Sequence, residues 1–597
     1  MKATTSSEIE MHPSELYERP KNRWKIISKP DSSSVASLAK QLNARPDDPL
    51  GWGNEIVATL LLQRGIKTLE EAKKFFRPSL DDLHDPFLMK DMDKAVERIE
   101  TALAEGEKIL VYGDYDVDGT TAVALFYTFL KSLNANCGFY IPDRYAEGYG
   151  ISFMGIDFAK AEGYSLIVAL DCGIKANEKI KYANENGIDF IICDHHRPGD
   201  KIPDAIAVLD PKRDDCNYPY DELCGCGIGF KLAQAISQKR NSGIEATEPL
   251  LDLVAVAIAA DLVPLTGENR VLATFGLKRI NSDPRPGFRA MMLHAKLKRA
   301  ISITDIVFIF APRINAAGRI EHGKLAVQLL TSLDEETANA ASDVVNKNNT
   351  DRRDLDKTIT EHAMQIVSAS REMQSRKSTV VFDKDWHKGV VGIVASRLIE
   401  KYYRPTIVLT ESNGKITGSA RSVKDFDVYE AIEACGDLLL QFGGHKYAAG
   451  LTMDPENVEA FVLKFEQEVS ARITEEQLIP QIEIDLEIPF EKIDNAFFAV
   501  LKQFAPFGPG NMSPVFLTRK VCDRGWARIV GEKHLKFDLI NPANPNRIFP
   551  AIGFGLGNYL SLLANKNEVD VCYAIEENEY NGRVSLQLNV KDMRHSL

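Results

Sequence analysis

The sequence predicts an α/β protein: two α/β lobes joined by one long helix, followed by a C-terminal β-barrel. Three observations carry this. Between about residues 80 and 265, short apolar runs alternate with helix-like segments, the pattern of βαβ units around a mainly parallel sheet. From Asp334 to Met373 the chain has neither Pro nor Gly and is rich in Ala, Asp, Glu, Lys and Arg, which suits a single helix about 60 Å long. Beyond residue 478, short β-prone segments alternate with turn residues, as in small barrels.

Taken in order, residues 1–75 read as an N-terminal extension and small helical region, punctuated by Pro30, Pro46 and Pro49. The first lobe, 76–270, has strands at Ile109–Tyr112, Cys137–Ile141, Leu166–Leu170 and Phe190–Cys193. Helices are expected at Thr120–Leu133, Ile156–Glu162 and Asn177–Asn186, with the apolar run Leu253–Ala260 as a buried helix. A basic linker and the long helix occupy 271–375. The second lobe, 376–470, sets strands Thr379–Phe382 and Thr406–Leu409 around a helix at Val391–Lys401. In the C-terminal region, 478–597, strands are expected at Gln481–Leu486, Val515–Leu517, Trp526–Val530, Leu535–Leu539, Val569–Ile575 and Val584–Val590.

The chemistry concentrates at strand ends. GDYDVDGTTA places Asp114, Asp116 and Asp118 directly after the first strand. Three acids at one strand tip repel one another unless cations neutralise them, and hard oxygen ligands mixed with imidazole suit Mg²⁺ or Mn²⁺ better than a thiolate zinc site. Two further buried strands deliver Asp171 and the triplet Asp194-His195-His196. In open parallel sheets the carboxyl ends of the strands line the ligand crevice, so these segments converge on one edge. Asp261, after the apolar helix, closes the set from the side. GDYDVDG offers acids where G-x-G-x-x-G would offer amides, and no Walker A sequence is present, so no nucleotide cofactor is implied.

Composition sets bounds. A chain of 597 residues is long enough for several cores. No apolar run approaches the roughly 20 residues needed to cross a bilayer, and MKATTSSEIEMHPSE lacks the apolar stretch of a secretory signal; cytoplasmic residence without membrane partners is expected. The nine cysteines include no CxxC, so Cys216, Cys224 and Cys226 are read as packed thiols. The net charge of −13 argues against a polyanion ligand only if charge is evenly spread. It is not: Arg270, Lys278, Arg279, Arg285, Arg289, Lys296, Lys298 and Arg299 face one acid, Asp283, and a second basic stretch runs from Arg519 to Lys536. Each is either a solvated helix face or part of a track for a polyanion, with Trp526, Phe537 and Tyr559 as stacking candidates in the C-terminal region.

The triplet Asp194-His195-His196, with the motifs before and after it, resembles the DHH phosphoesterase family, and within it the single-strand-specific 5′→3′ exonucleases. IPDRYAEGYG (141–150), APRINAAGR (311–319), HKGVVGIVASRL (387–398), GGHKYAAG (443–450) and FAPFGPGN (504–511) extend the resemblance over most of the chain. It implies DHH and DHHA1 lobes with an OB-type barrel, and two divalent cations, Mn²⁺ or Mg²⁺. Carried over residue by residue, Asp116, Asp118, Asp171, His195 and Asp261 are the metal ligands and, with His196, the catalytic set; Asp171 would bridge the ions. One departure stands out: Tyr112 occupies the position of a family histidine ligand, leaving Asp114 or water to substitute. Phosphate and nucleotide contacts are implied for Arg144, Arg313, Asn315, Arg319, Ser419, Arg421, Gly443, Gly444 and His445. The resemblance further implies single-stranded DNA as partner, a single-strand-binding protein and a repair helicase as protein partners, and a monomer. Two other readings remain open on sequence: a DHH phosphoesterase acting on oligoribonucleotides or cyclic dinucleotides, and a non-catalytic DNA-binding scaffold.

Overall fold

The computed structural model describes residues 22–43, 54–580 and 582–596. The chain separates into two compact units: one holds 26–349 and 484–597, the other 350–483 with the described residues before 26.

The first unit opens with helices α1 (Ser32–Asn43), α2 (Glu55–Gln63) and α3 (Leu69–Phe76). Asn54 caps α2 through the Ile56 amide, and Thr68 with Glu71 forms a capping box on α3, each satisfying amides that a helix start leaves free. Five parallel strands follow: β1 (Ile109–Gly113), β2 (Cys137–Tyr140), β3 (Leu166–Leu170), β4 (Asp189–Cys193) and β5 (Ala207–Leu209), in the order β2-β1-β3-β4-β5. ILVYG and LIVAL are buried at every position, as in a parallel sheet covered on both faces. Strand order reverses between β1 and β3, which makes their carboxyl ends a topological switch point with an open crevice.

Helix α4 (Val117–Ser132) starts three residues earlier than the sequence predicts. The reason is a cap: Asp116 Oδ1 accepts the Gly119 amide at 2.9 Å. Strand β5 escaped the sequence reading because three residues are too few to display a period. Helix α5 (Gly225–Lys239) and helix α6 (Leu251–Asp261) are buried almost throughout; between Asp252 and Asp261 α6 is apolar on every side, the mark of a helix inside a core. The expected basic linker is largely built structure. Its first part is helix α7 (Gly267–Ser282), with Leu272, Ala273 and Ile280 in the lobe's core, and APRINAAGR forms helix α8 (Ala311–Ile320).

The long helix α9 spans Glu335–Ala369, 35 residues or about 52 Å, and the boundary between the units falls within it. It stops short of Met373. Ser370 leaves the helical region and its side chain accepts the Met373 amide, starting a separate short helix, the local competition with helix hydrogen bonding that serine offers.

In the second unit, strands β6 (Thr379–Phe382), β7 (Thr406–Ser412), β8 (Lys415–Arg421), β9 (Gln441–His445) and β10 (Ala448–Met453) form a sheet of order β9-β10-β8-β7-β6. Only β6 and β7 run parallel, linked by helix α10 (Val391–Tyr402) as a parallel pair requires.

Seven further strands belong to the first unit: β11 (Leu486–Glu487), β12 (Phe516–Asp523), β13 (Arg528–Val530), β14 (His534–Asn541), β15 (Asn544–Gly553), β16 (Val569–Tyr580) and β17 (Arg583–His595). Their order is β11-β12-β16-β17-β15-β14-β13, and β12 also pairs with β14, which curls the sheet into a barrel-like form. Its interior is shared: Leu42, Leu61 and Phe75 of the N-terminal helices pack in one core with Phe504, Phe516 and Tyr573.

Candidate metal centre at the sheet switch point

Four chain segments bring their polar side chains to the carboxyl ends of β1, β3 and β4. Asp118 lies in the first turn of α4, Asp171 directly follows β3, His195 follows β4, and Asp261 ends α6. His195 Nε2 stands 3.1 Å from Asp171 Oδ1, 3.7 Å from Asp118 Oδ2 and 3.7 Å from Asp261 Oδ2. Donor atoms of Asp118, His195 and Asp261 lie within 4.8 Å of one another, and so do those of Asp171, His195 and His196. The two triads share His195.

The electrostatics are those of an acid cluster removed from water. Burial, then the neighbouring charge of Asp116, pushes Asp118 up to about 7. Burial, then Asp118 and Asp116, pushes Asp261 up to about 8. Burial and four surrounding acids raise Asp171 well above the usual carboxylate range, and burial with Asp116 does the same for Asp114. Burial pushes His195 down to about 3, so its ring is neutral and has a lone pair to offer. His196 goes the other way: burial opposes its charge, but the 2.7 Å hydrogen bond to Asp194 Oδ1 outweighs it and lifts the imidazole to about 9. Asp194 also accepts the amides of Ile174, His195 and His196; although buried, it is held at about 2, chiefly by His196.

Such a cluster fits a hard divalent cation. Among the described residues, Asp171 Oδ1, Asp114 Oδ2 and His195 Nδ1 are buried and find no hydrogen-bond partner, an arrangement that costs free energy unless another group satisfies it. Carboxylates with one neutral imidazole are the donors that Mn²⁺ and Mg²⁺ accept. Asp114 and Asp116 stand outside both triads. Asp116 is committed as the cap of α4, and Asp114 Oδ1 accepts the Gly150 amide at 3.1 Å. Tyr112, fully buried, donates its hydroxyl to Gly150 O at 3.0 Å and accepts the Ser152 amide. The family's histidine position therefore serves here to hold the 150–152 segment.

Arg144 stacks its guanidinium 4.6 Å from the ring centre of Tyr115, inside the acidic turn. Arg313, Asn315 and Arg319 lie on α8, with Asn315 and Arg319 four residues apart on one face. Arg313 donates to Ile309 O, and Arg319 O accepts the Tyr145 hydroxyl. Ser419 and Arg421 lie on β8, and Gly443, Gly444 and His445 on β9, all in the second unit; there Arg421 Nη1 donates to Ser419 Oγ at 2.9 Å.

The basic stretches are more committed to structure than their sequence suggests. Arg270 is buried and donates to the carbonyls of Phe75, Gln503, Phe504, Ala505 and Pro506. Arg285 pairs with Asp252, Arg299 with Asp305, Arg289 with Glu335 and Arg279 with Asp283. Arg519 binds Glu487 and Asp570. Lys296 and Lys298 are exposed. Among the stacking candidates, Phe537 is buried and Tyr559 half-buried against the core, because alternation along β14 turns Phe537 inward. Trp526 is 62% exposed.

Three features lay beyond the sequence reading. The amides of Gly225 and Cys226, which open α5, hold the Asp118 carboxylate; the available signal is the set of glycines in LCGCGIG, a run whose paired thiols read first as packing residues. Tyr149 puts its hydroxyl 3.5 Å from His196 Nε2. Phe554, 58% exposed, meets His534 edge to face at 5.3 Å, and its signal is an outward row on β15, Ile548, Pro550 and Ile552, that continues apolar into Phe554 where alternation calls for polar residues.

Residues 108–258 match the family model of the DHH family N-terminal domain, 375–471 the DHHA1 domain and 484–592 the RecJ OB domain. The single-stranded-DNA-specific exonuclease RecJ of Bacillus subtilis (strain 168) is 37% identical over 576 residues, 96% of this chain and 71% of that protein. RecJ from Thermus thermophilus, solved in complex with Mn²⁺, matches with a TM-score of 0.81 at 28% identity, over 97% of this chain and 80% of the other. The same protein in complex with Mg²⁺ matches with a TM-score of 0.76 at 27% identity, over 97% and 79% of the two chains.

Proposed function

The chain belongs to the RecJ family of single-stranded-DNA-specific exonucleases, and we propose that it hydrolyses single-stranded DNA from the 5′ end, releasing 5′-mononucleotides in cytoplasmic DNA recombination and repair. The observation that carries this reading is the convergence of Asp118, Asp171 and Asp261 on His195 Nε2 at the switch point, at 3.7, 3.1 and 3.7 Å. Asp118, Asp171, His195 and Asp261, with Asp116 beside them, would hold two Mn²⁺ or Mg²⁺ ions, Asp171 standing 3.1 Å from the central His195. When bound, two such ions activate a water and stabilise the attacking and leaving oxygens of a phosphodiester.

The protein's own groups do the rest. His195 stays neutral because it is buried. His196, kept protonated by Asp194, presents Nε2–H toward the crevice beside the Tyr149 hydroxyl, where it can donate to a phosphate oxygen. Arg144, Arg313, Asn315 and Arg319 would position the strand by phosphate contacts, which carry no sequence preference. Within the second unit, Ser419, Arg421, Gly443, Gly444 and His445 are the substrate contacts that the family resemblance supports. Beyond the site, the outward face of β13–β15 supports a grip on the strand. Arg528, Lys536 and Ile552 form one row across it, and Val530 and His534 the next, beside Phe554; cations flanking exposed aromatics are how OB-folds hold single strands. Family membership supports a monomer acting with a single-strand-binding protein and a repair helicase.

Asp171→Ala tests the metal centre. It should abolish hydrolysis under saturating Mn²⁺ while the far-UV spectrum and cooperative melting persist. Retention of more than a few per cent of activity would refute the role given to Asp171.

A further inference from the structure

Two of the ligand carboxylates meet the same short piece of backbone. Gly225 donates its amide to Asp118 Oδ2 at 2.7 Å, and Cys226 donates to Asp118 Oδ1 at 2.8 Å. These are the first two residues of α5, whose N-cap, Cys224, turns its sulfur onto the Gly227 amide. Both oxygens of Asp118 are thereby fixed by donors that cannot rotate, at the positive end of a buried helix. Asp171 presses on the same spot: a Cβ at Gly225 would stand 2.5 Å from Asp171 Cβ, 2.7 Å from its Cα and 2.7 Å from Oδ1. No side chain larger than hydrogen fits without moving Asp171. Asp171 itself sits at φ +61°, a left-handed conformation that persists where neighbours over-determine it.

We propose that the Gly225–Cys226 turn is a backbone clasp that positions Asp118 and Asp171 together and so sets the affinity of the metal centre. The inference rests on the reading of these acids as ligands. Gly225 and Cys226 touch neither substrate nor ion; they are positioning residues. Without the clasp, the like charges of Asp118 and Asp171 would drive the carboxylates apart in the free protein, and drawing them together again would weaken ion binding. Groups that orient metal ligands from behind typically change affinity 10–100-fold when removed.

The test separates the Cys226 side chain from its amide. Cys226→Ala removes the buried thiol, which interacts with Thr121, and keeps the N–H. Cys226→Pro removes the N–H at a position in the first helical turn where proline is tolerated. Mn²⁺ binding to the full chain, followed by electron paramagnetic resonance without DNA, should be weakened at least tenfold in Cys226→Pro relative to Cys226→Ala, with the far-UV spectrum unchanged. An amide-to-ester exchange at the 225–226 bond, introduced in the Cys226→Ala background, deletes the donor without a ring and should give the same loss, which covers the case of a poorly folded proline variant. Gly225→Ala, which displaces Asp171, should weaken binding as well. Equal Mn²⁺ affinity in the ester variant and its Cys226→Ala parent overturns the clasp. Failure of the unmodified protein to bind Mn²⁺ overturns the metal-centre reading instead, so the two are distinguishable.

Discussion

Replacing Asp261 by Asn should make the metal-free protein more stable while destroying its activity. Donor oxygens of Asp118 and Asp261 lie within 4.8 Å, a separation at which two unit charges repel by about 3.5 kcal/mol for an effective permittivity of 20. The Asp261 side chain is 31% exposed, and solvent screening brings the figure to about 2 kcal/mol. The repulsion exists only when both groups are ionised, and burial with mutual charge has raised Asp118 to about 7 and Asp261 to about 8. A carboxyl raised in the fold binds a proton there that the unfolded chain has already lost, so metal-free stability falls as pH rises from about 4 to about 8. The variant lacks Asp261's share of that fall. In EDTA at pH 8.5 it should melt about 4 °C above the parent, taking about 2 °C per kcal/mol for a large unit, and the gap should shrink toward pH 5.5. Saturating Mn²⁺ should reverse the order, since an ion at a hundred times its Kd adds about 2.7 kcal/mol to the protein that binds it. Differential scanning calorimetry reads all three conditions. A variant melting at or below the parent in EDTA at pH 8.5 would refute the reasoning.

Arg270→Met should lower stability by about 3 kcal/mol or more in urea titration, because it strips a charged donor from five carbonyls, three of them on the buried residues Phe75, Phe504 and Pro506; a cost below about 1 kcal/mol would contradict the clamp. Lys296→Ala with Lys298→Ala should make the salt dependence of single-strand binding shallower by about 1.4 in log–log slope, whereas Arg299→Ala, which breaks a two-pronged bond to Asp305, should act on thermal stability and leave the slope alone. Trp526→Ala with Phe554→Ala should weaken binding of long single strands by about 1–3 kcal/mol per lost stack, measured by fluorescence anisotropy, without slowing cleavage of very short oligonucleotides; equal effects on both would show the barrel face to be structural.

Strands β1 to β4, the switch-point geometry and the convergence of Asp118, Asp171, His195 and Asp261 were legible in the sequence because strand runs such as LIVAL end abruptly at a charge. Periodicity then fixes where that charge emerges. What was not legible depends on partners distant in the chain. Arg270 reads as a DNA contact until Phe75 and residues 503–506 close over it. Phe537 reads as a stacking platform until the register of β14 turns it inward. Asp118 reads as one of three acids crowding a strand tip, and nothing nearby shows that residues 225 and 226, more than a hundred positions later, supply its amides. Such pairings arise from tertiary packing, which local patterns do not encode.

The most direct test of the account is digestion of DNA labelled at the 5′ or the 3′ end, single- or double-stranded, with Mn²⁺, Mg²⁺ or EDTA. The account predicts that single strands alone are degraded, that a 5′ label appears at once as mononucleotide while a 3′ label stays in progressively shortened strands, and that EDTA stops the reaction. Immediate release of the 3′ label, equal degradation of duplex, or activity surviving EDTA would contradict it.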